Sequence, residues 1–186
     1  MTAKLTFYYG TMACGKSTYC LQMNHNLKSK NFLPYLLKSA IDVRDEGVIR
    51  SRIGIEHGVN YFNYDNTIDL YALKCTHILV DEAQFLNKDQ IDLLIELVDG
   101  YNIDVVCFGL RTDFTGKLFD GTAMLFAMAD DLIELPVLNE DNRKCICHLR
   151  SVNGEPVFSG KSIQVGGDEM YESVSRKQWN KIRNLK

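Results

Sequence analysis

Lys4-Leu-Thr-Phe-Tyr-Tyr-Gly-Thr-Met-Ala-Cys-Gly-Lys-Ser-Thr18 is the stretch that decides the fold. Leu5 to Tyr9 is a short apolar and aromatic run with the length of a buried strand, and Ser17 to Leu27 reads as a helix. Between them stands Gly10-x-x-x-x-Gly15-Lys16-Ser17. A loop of this spacing, leaving a strand and entering a helix, forms a concave ring of backbone N–H groups with the helix N-terminus aimed into it. That ring is a cradle for phosphate oxygens. Gly10 and Gly15 let the backbone approach the oxygens, and Thr11, Met12, Ala13 and Cys14 complete the ring. Lys16 can reach the β- and γ-phosphates, the Ser17 hydroxyl can ligate Mg²⁺, and Thr18 follows on the first helical turn.

The second anchor is Thr76-His-Ile-Leu-Val-Asp-Glu82. Ile78-Leu-Val80 is a continuous apolar run, as a parallel strand covered on both faces requires, and it ends in two acids. Acids at the carboxyl end of such a strand point into the crevice where open α/β sheets bind ligands. Asp81 is thereby the candidate carboxylate for the Mg²⁺ that accompanies a bound triphosphate.

Between and beyond these anchors strands alternate with helices. Phe32 to Leu37 reads as a strand, with Pro34 tolerable only near its start or on an edge. Lys38 to Gly54 is polar and holds Arg44, Arg50 and Arg52; its composition favours a surface loop over a source of charge for a transferring phosphoryl group. Asn66 to Leu73 has helical spacing. Asn87 to Val98 is an amphipathic helix with Asn87 as N-cap and Gly100 as its stop. Ile103 to Phe108 is a buried strand, 109–119 an irregular loop, Ala123 to Ala129 a helix and Leu132 to Leu135 a strand. The alternation predicts an α/β fold with a parallel sheet flanked by helices over 1–137. Residues 138–186 change character. Lys144 to Arg150 alternates as a strand, Asn153-Gly154 makes a hairpin turn, and Ser162 to Val165 continues the β pattern. Ser175 to Leu185 reads as a polar helical tail, so this end predicts a small antiparallel β appendage.

A chain of 186 residues has room for one such domain with a full core. A net charge of −3 gives no electrostatic footprint for nucleic acid or an anionic membrane. No apolar stretch approaches a membrane span, the strand-like start reads as leaving no room for a signal peptide, and six scattered cysteines read as reduced thiols. A cytoplasmic location is expected.

Gly10 to Thr18, Asp81-Glu-Ala-Gln-Phe85, Gly109-Leu-Arg-Thr-Asp-Phe114 and Gly166-Gly-x-x-x-Tyr171 occur in register. Together they resemble the thymidine kinases of the cellular type found in animals, many bacteria and large DNA viruses. Ser51-Arg-Ile-Gly54 brings the likeness nearest to the enterobacterial and phage branch, and it covers almost the whole chain. The resemblance implies ATP-dependent phosphorylation of the thymidine 5′-hydroxyl with Mg²⁺. Deoxyuridine is expected to react too, because one methyl group gives limited discrimination. It implies Asp81 and Ser17 as Mg²⁺ partners, Glu82 as general base, Gln84 on the nucleotide side, and Asp42 and Arg44 beside the phosphates. It implies a nucleoside pocket of Met12, Phe85, Leu110, Phe114, Phe119 and Tyr171, with the backbone of Ile163, Gln164, Val165 and Gly166 reading the thymine edge. Taken alone these apolar residues read as core. A homotetramer and feedback binding of thymidine triphosphate are implied as well, with no nucleic-acid or membrane partner.

Three rival readings stand beside this one. A catalytically lapsed nucleotide-binding module is opposed by Glu82, which a mere binder does not need. An ATPase acting on nucleic acid is opposed by the acidic charge. A kinase for another deoxynucleoside is the nearest alternative. One part of the family pattern is missing: most members fix the appendage with a structural zinc. Here the matching positions are Asn139 and Asn142 (or Asp141) before the hairpin, and Ser175 and Gln178 after it. Zinc wants thiolate and imidazole, and Cys145, Cys147 and His148 lie several residues late. The expectation is no zinc, with hydrogen bonds in its place.

Overall fold

The computed structural model describes residues 2–39, 41, 47–62, 74–160 and 171–185, with residues 60–62 as backbone only. Strand and helix alternate in the order β1 (Leu5–Gly10), α1 (Lys16–Ser29), β2 (Pro34–Ser39), β3 (Val48–Arg50), β4 (Glu56–Gly58), β5 (Asn60–Phe62) and β6 (His77–Asp81). A 3-10 turn (Ala83–Phe85) then leads to α2 (Lys88–Tyr101), β7 (Asp104–Leu110), α3 (Asp120–Met128) and β8 (Asp131–Leu135). Six of these strands form one sheet in the order β5-β2-β6-β7-β1-β8. Every neighbouring pair in it is parallel.

Parallel neighbours need crossovers, which put helices on the faces. On one face α1 packs Cys20 and Leu21 against Leu36, Leu79, Val106 and Phe108. On the other, Ile91, Leu94, Leu97 and Val98 of α2 and Leu125 of α3 pack against Phe7, Ile78, Val80, Val105 and Cys107. Ile78 and Val80 thus serve one face while Leu79 serves the other, which is why this run is continuously apolar rather than alternating.

Several expectations change against the structure. Gly100 does not stop α2: the helix runs through it to Tyr101, and Asn102 takes the left-handed cap at φ 53°, a conformation Asn tolerates. The other end is as expected, with Asn87 and Gln90 in a reciprocal capping box. The polar 38–54 segment is not simply a surface loop. Lys38 and Ser39 belong to β2, β3 pairs with β4, and Ile49, 1 % exposed, enters the core beneath α1. The helix expected at 66–73 and the strand at 162–165 lie outside the described residues.

Past β8, β9 (Val137–Leu138) pairs with β10 (Lys144–Cys145), and β11 (Cys147–Val152) lies between β12 (Glu155–Val157) and β13 (Tyr171–Val174) in an antiparallel sheet. The single strand expected over 144–150 is therefore two, divided at Ile146, whose N–H donates to the Val174 carbonyl. Asn153 and Gly154 close the β11–β12 hairpin with φ 51° and 79°, the primed turn that suits strand twist. The tail, α4 (Arg176–Asn184), is docked rather than simply polar. Trp179 packs on Leu149 and Val174, and its Nε1–H donates to the Phe114 carbonyl at 3.3 Å. All six cysteines are free thiols. No helix among the described residues is long and apolar enough to cross a membrane.

Candidate active site

β1 delivers the Gly-rich loop to the carboxyl end of the sheet, where Gly10 pairs with Leu110 of β7. Gly15, at φ 84° and ψ 17°, turns the chain into α1 through a conformation that L-residues adopt only at a cost. The α1 N-terminus carries no side-chain cap and no acid in its first turn, which leaves its partial positive charge for an anion. Lys16 is 7 % exposed, and its ammonium curls back over the loop to donate to the Thr11 carbonyl at 2.8 Å. Cys14 Sγ lies 3.5 Å from the same ammonium. Ala13 holds φ 61°, and Thr18 sits half-buried on the first turn of α1.

β6, two strands from β1, brings the acids to the same end of the sheet. The Ser17 hydroxyl donates to Asp81 Oδ2 at 2.8 Å, joining the loop to the strand end. Asp81 is 3 % exposed, and its Oδ1 is buried with no hydrogen-bond partner among the described residues. Burial first, and the neighbouring Glu82 carboxylate second, push its carboxyl up to about 6 against the opposing pull of the Ser17 hydroxyl, the Glu82 backbone and the Lys16 charge. A hard cation shared by Ser17 and Asp81 would satisfy Oδ1 and relieve that penalty, so these residues fit Mg²⁺. Among the described residues no three His, Cys, Asp or Glu side chains cluster into a metal site. Mg²⁺ on a nucleotide needs only one or two protein ligands besides phosphate.

Glu82 leaves β6 in the left-handed region, φ 54° and ψ 37°, a conformation that costs a non-glycine residue about 1–3 kcal/mol and is kept only where the surroundings impose it. Its carboxylate accepts a short hydrogen bond from Gln84 Nε2, while Gln84 Oε1 accepts from the Leu110 N–H at 2.9 Å. Gln84, which the resemblance puts on the nucleotide side, bridges Glu82 to β7 through the two ends of its amide.

The residues expected around the nucleoside form two groups. Phe85 and Phe119 meet edge to face at 5.6 Å, and Leu110 lies alongside through Gln84 and through the Thr122 hydroxyl, which donates to its carbonyl at 2.7 Å. Phe114 and Tyr171 share the Arg150 guanidinium, 5.2 Å from the Phe114 ring and 6.0 Å from the Tyr171 ring. Phe114 is only 2 % exposed, so much of it is core, as its bare chemistry suggests. Asp42, Arg44, Ile163, Gln164, Val165 and Gly166 lie outside the described residues.

Sequence reasoning missed Arg150, Ser173 and His148 as members of this region. His148 is 2 % exposed, and its Nε2 accepts the Met12 N–H at 2.9 Å. Burial, and then the Lys16 charge, push its imidazole down to about 4, against a hydrogen bond with the Thr112 backbone and the Asp113 charge. An unfolded chain therefore takes up a proton at this ring that the folded chain refuses. This contribution is complete above pH about 6.5, is lost as the pH falls toward about 4, and is on the order of 3 kcal/mol. The one available signal was a histidine in an alternating apolar strand beside Cys147 and Leu149.

The positions where the family pattern would place zinc ligands, Asn139, Asn142 (or Asp141), Ser175 and Gln178, offer no thiolate or imidazole, and the side chains of Asn139, Ser175 and Gln178 are bonded to one another. Asn139 Nδ2 donates to Gln178 Oε1 at 2.7 Å, and the Ser175 hydroxyl and N–H donate to the same oxygen at 2.8 and 3.0 Å. Asn139 Oδ1 accepts from Arg143 N–H at 2.8 Å, and Asn142 N–H donates to the Asn139 carbonyl at 2.9 Å. Amide and hydroxyl groups of this kind do not fit zinc. Ser175-Arg-Lys-Gln178 is a capping box at the start of α4, a pattern legible in the sequence.

A family model described as thymidine kinase matches residues 3–179. The chain belongs to the thymidine kinase family. Its relatives include the thymidine kinase of Enterobacteria phage T4, 43 % identical over 188 residues that cover 97 % of each chain. The thymidine kinase of Legionella pneumophila (strain Paris) is 41 % identical over 185 residues, 94 % of this chain and 88 % of the relative. That of Shewanella oneidensis is 40 % identical over 190 residues, 97 % of this chain and 98 % of the relative. Thymidine kinase membership accounts for the parallel α/β sheet and bears out the resemblance carried by the motifs.

Proposed function

We propose that this chain transfers the γ-phosphoryl group of ATP to the 5′-hydroxyl of thymidine, and of deoxyuridine, to supply nucleotide for DNA synthesis. The observation that carries it is the run Ser17–Asp81–Glu82: a loop hydroxyl bonded to a buried carboxylate, with a second, half-buried carboxylate beside it held by Gln84. Phosphoryl transfer needs positioning and charge neutralisation more than covalent chemistry. The loop N–H groups from Ala13 to Thr18 cradle the phosphates, that of Met12 being held by His148, and Lys16 leaves the Thr11 carbonyl for the transferring group. Ser17 and Asp81 would hold Mg²⁺, which when bound neutralises charge on the phosphate oxygens. Glu82 accepts the 5′-hydroxyl proton as charge moves onto the phosphoryl oxygens.

In this reading Asp42 and Arg44 stand beside the phosphates. Met12, Phe85, Leu110, Phe114, Phe119 and Tyr171 enclose the nucleoside, and the backbone of 163–166 reads thymine. Residues 1–137 hold the nucleotide while 138–186 close over the nucleoside. A cytoplasmic homotetramer inhibited by thymidine triphosphate completes the proposal on family resemblance alone. The test is phosphate transfer from Mg·ATP to a panel of deoxynucleosides. Thymidine and deoxyuridine are expected to turn over, and purine deoxynucleosides to be excluded by size. ATP binding with no phosphorylated product from any nucleoside would make the chain a binding module.

The polar knot of Asn139, Ser175 and Gln178 is proposed to hold the appendage in place of zinc. Gln178→Leu removes three hydrogen bonds to one oxygen, worth about 2 kcal/mol together, and is expected to lower the thermal midpoint by about 4–8 °C. Metal analysis of the wild type should give less than stoichiometric zinc, and a chelator should leave its melting curve in place. One tightly held zinc per chain would refute the replacement.

A further inference from the structure

Met12, the second residue after Gly10 in the loop, has both polar groups of its backbone held by the appendage. Its N–H donates to His148 Nε2 at 2.9 Å, and its carbonyl accepts from the Ser173 hydroxyl at 2.8 Å. His148 and Ser173 stand directly opposite each other in the β11–β13 pairing. Side chains at such opposed positions share one face of the sheet. The face they present therefore closes on a single residue of the phosphate loop, more than a hundred positions earlier in the chain.

The chemistry of this grip is specific. Because Nε2 accepts from Met12, the ring proton belongs on Nδ1, which matches its hydrogen bond with the Thr112 backbone. One imidazole thus joins three segments: the phosphate loop, the 109–119 segment that carries Phe114, and the strand next to Tyr171. The ring is enclosed and feels the Lys16 charge, with Asp113 the opposing charge. Protonation would remove the acceptor, leave the Met12 N–H facing a donor, and add a second cation to a buried region that already holds Lys16. The surroundings hold the ring neutral, as the grip requires.

We infer that His148 and Ser173 are positioning residues that clamp Met12 and so register the nucleotide loop against the nucleoside side of the appendage. The inference rests on reading residues 10–17 as the ATP-phosphate loop. Neither residue needs to touch a reacting atom. A loop free to shift by an ångström relative to the nucleoside misplaces the phosphoryl group, and such misplacement costs up to about a hundredfold in rate.

The experiment compares His148→Leu, which removes the acceptor, with His148→Gln, whose amide oxygen restores it, together with Ser173→Ala and the His148→Leu/Ser173→Ala pair. Steady-state kinetics are run well below each thermal midpoint, and ATP affinity is measured separately by titration. His148→Leu is expected to lower kcat/KM about 10- to 100-fold, with the KM values for ATP and thymidine rising together. His148→Gln is expected to recover most of the loss. The double variant should fall less than the product of the single effects, because both side chains hold one residue. An unchanged kcat/KM in His148→Leu, a Gln variant as poor as Leu, or multiplicative losses would each overturn the clamp. If wild type turns over thymidine normally in those cases, the loop assignment survives. If wild type fails to bind ATP at all, that assignment fails and takes the clamp with it.

Discussion

Glu82→Gln is expected to fold as wild type, bind ATP with little change, and lose kcat by about three orders of magnitude. General-base contributions run to about 10²–10⁴-fold, and an uncharged amide cannot take the 5′-hydroxyl proton. The substitution keeps the side-chain volume and inherits the same left-handed backbone, φ 54°, so the strain at this turn stays as it was. The Gln84 amide remains anchored to the Leu110 N–H, and a glutamine oxygen at position 82 can still accept from Gln84 Nε2. Geometry is therefore conserved while basicity is lost, which separates chemistry from positioning. The measurement is kcat under saturating Mg·ATP and thymidine, with circular dichroism and ATP titration as controls. Retention of more than about a tenth of kcat would place the base elsewhere and return Glu82 to an orienting role. Gln84→Leu is the companion variant, and its loss should be smaller because Glu82 keeps its charge and loses only its holder.

The parts of this site written in local sequence were the parts that could be read. Gly10 to Ser17 specifies its own loop through spacing, and Ile78 to Asp81 announces a doubly covered strand by staying apolar on consecutive positions. The contacts that were missed are long-range. Nothing near position 148 says that its ring will meet residue 12, because that meeting depends on how β11 and β13 lie over the end of the main sheet. Ile49 reads as part of a polar loop until β3 turns it under α1. Gln84 sits inside a family motif, yet its work is decided by the strand two elements later, at Leu110. Gly100 failed for the opposite reason. Glycine after a helical run is a sound stop signal, but Asn102 stood two residues on, able to take the left-handed cap, and the helix extended to it.

A glycine of a different kind, inside α3, gives the second large effect. Gly121 lies at the start of α3, where that helix packs on the 3-10 turn. A Cβ there would meet the carbonyl oxygens of Leu86, Gln84 and Ala83 at 2.7, 2.8 and 2.9 Å. All three are backbone atoms, so no side chain can rotate away; either α3 lifts or the turn carrying Gln84 and Phe85 moves. Helix propensity alone favours Gly→Ala by about 1 kcal/mol. Overpacking at a rigid contact costs about 1–3 kcal/mol and occasionally more, and with three immovable oxygens the steric term wins. Gly121→Ala is expected to lose about 2 kcal/mol net, lowering the thermal midpoint by about 4–8 °C. It should also depress kcat, since Glu82 immediately precedes the displaced turn. Gly100→Ala is the control: the nearest atom to its added Cβ is Glu96 Cγ at 3.9 Å, so propensity is unopposed and the expected change is a gain of about 0.5–1 kcal/mol with kcat unaltered. Opposite signs from the same substitution in two helices, read by thermal melts, would locate the tight contact at the α3–turn junction. A neutral or stabilising Gly121→Ala would mean that α3 can lift without cost, and the junction would then not be what holds Glu82 and Gln84 in place.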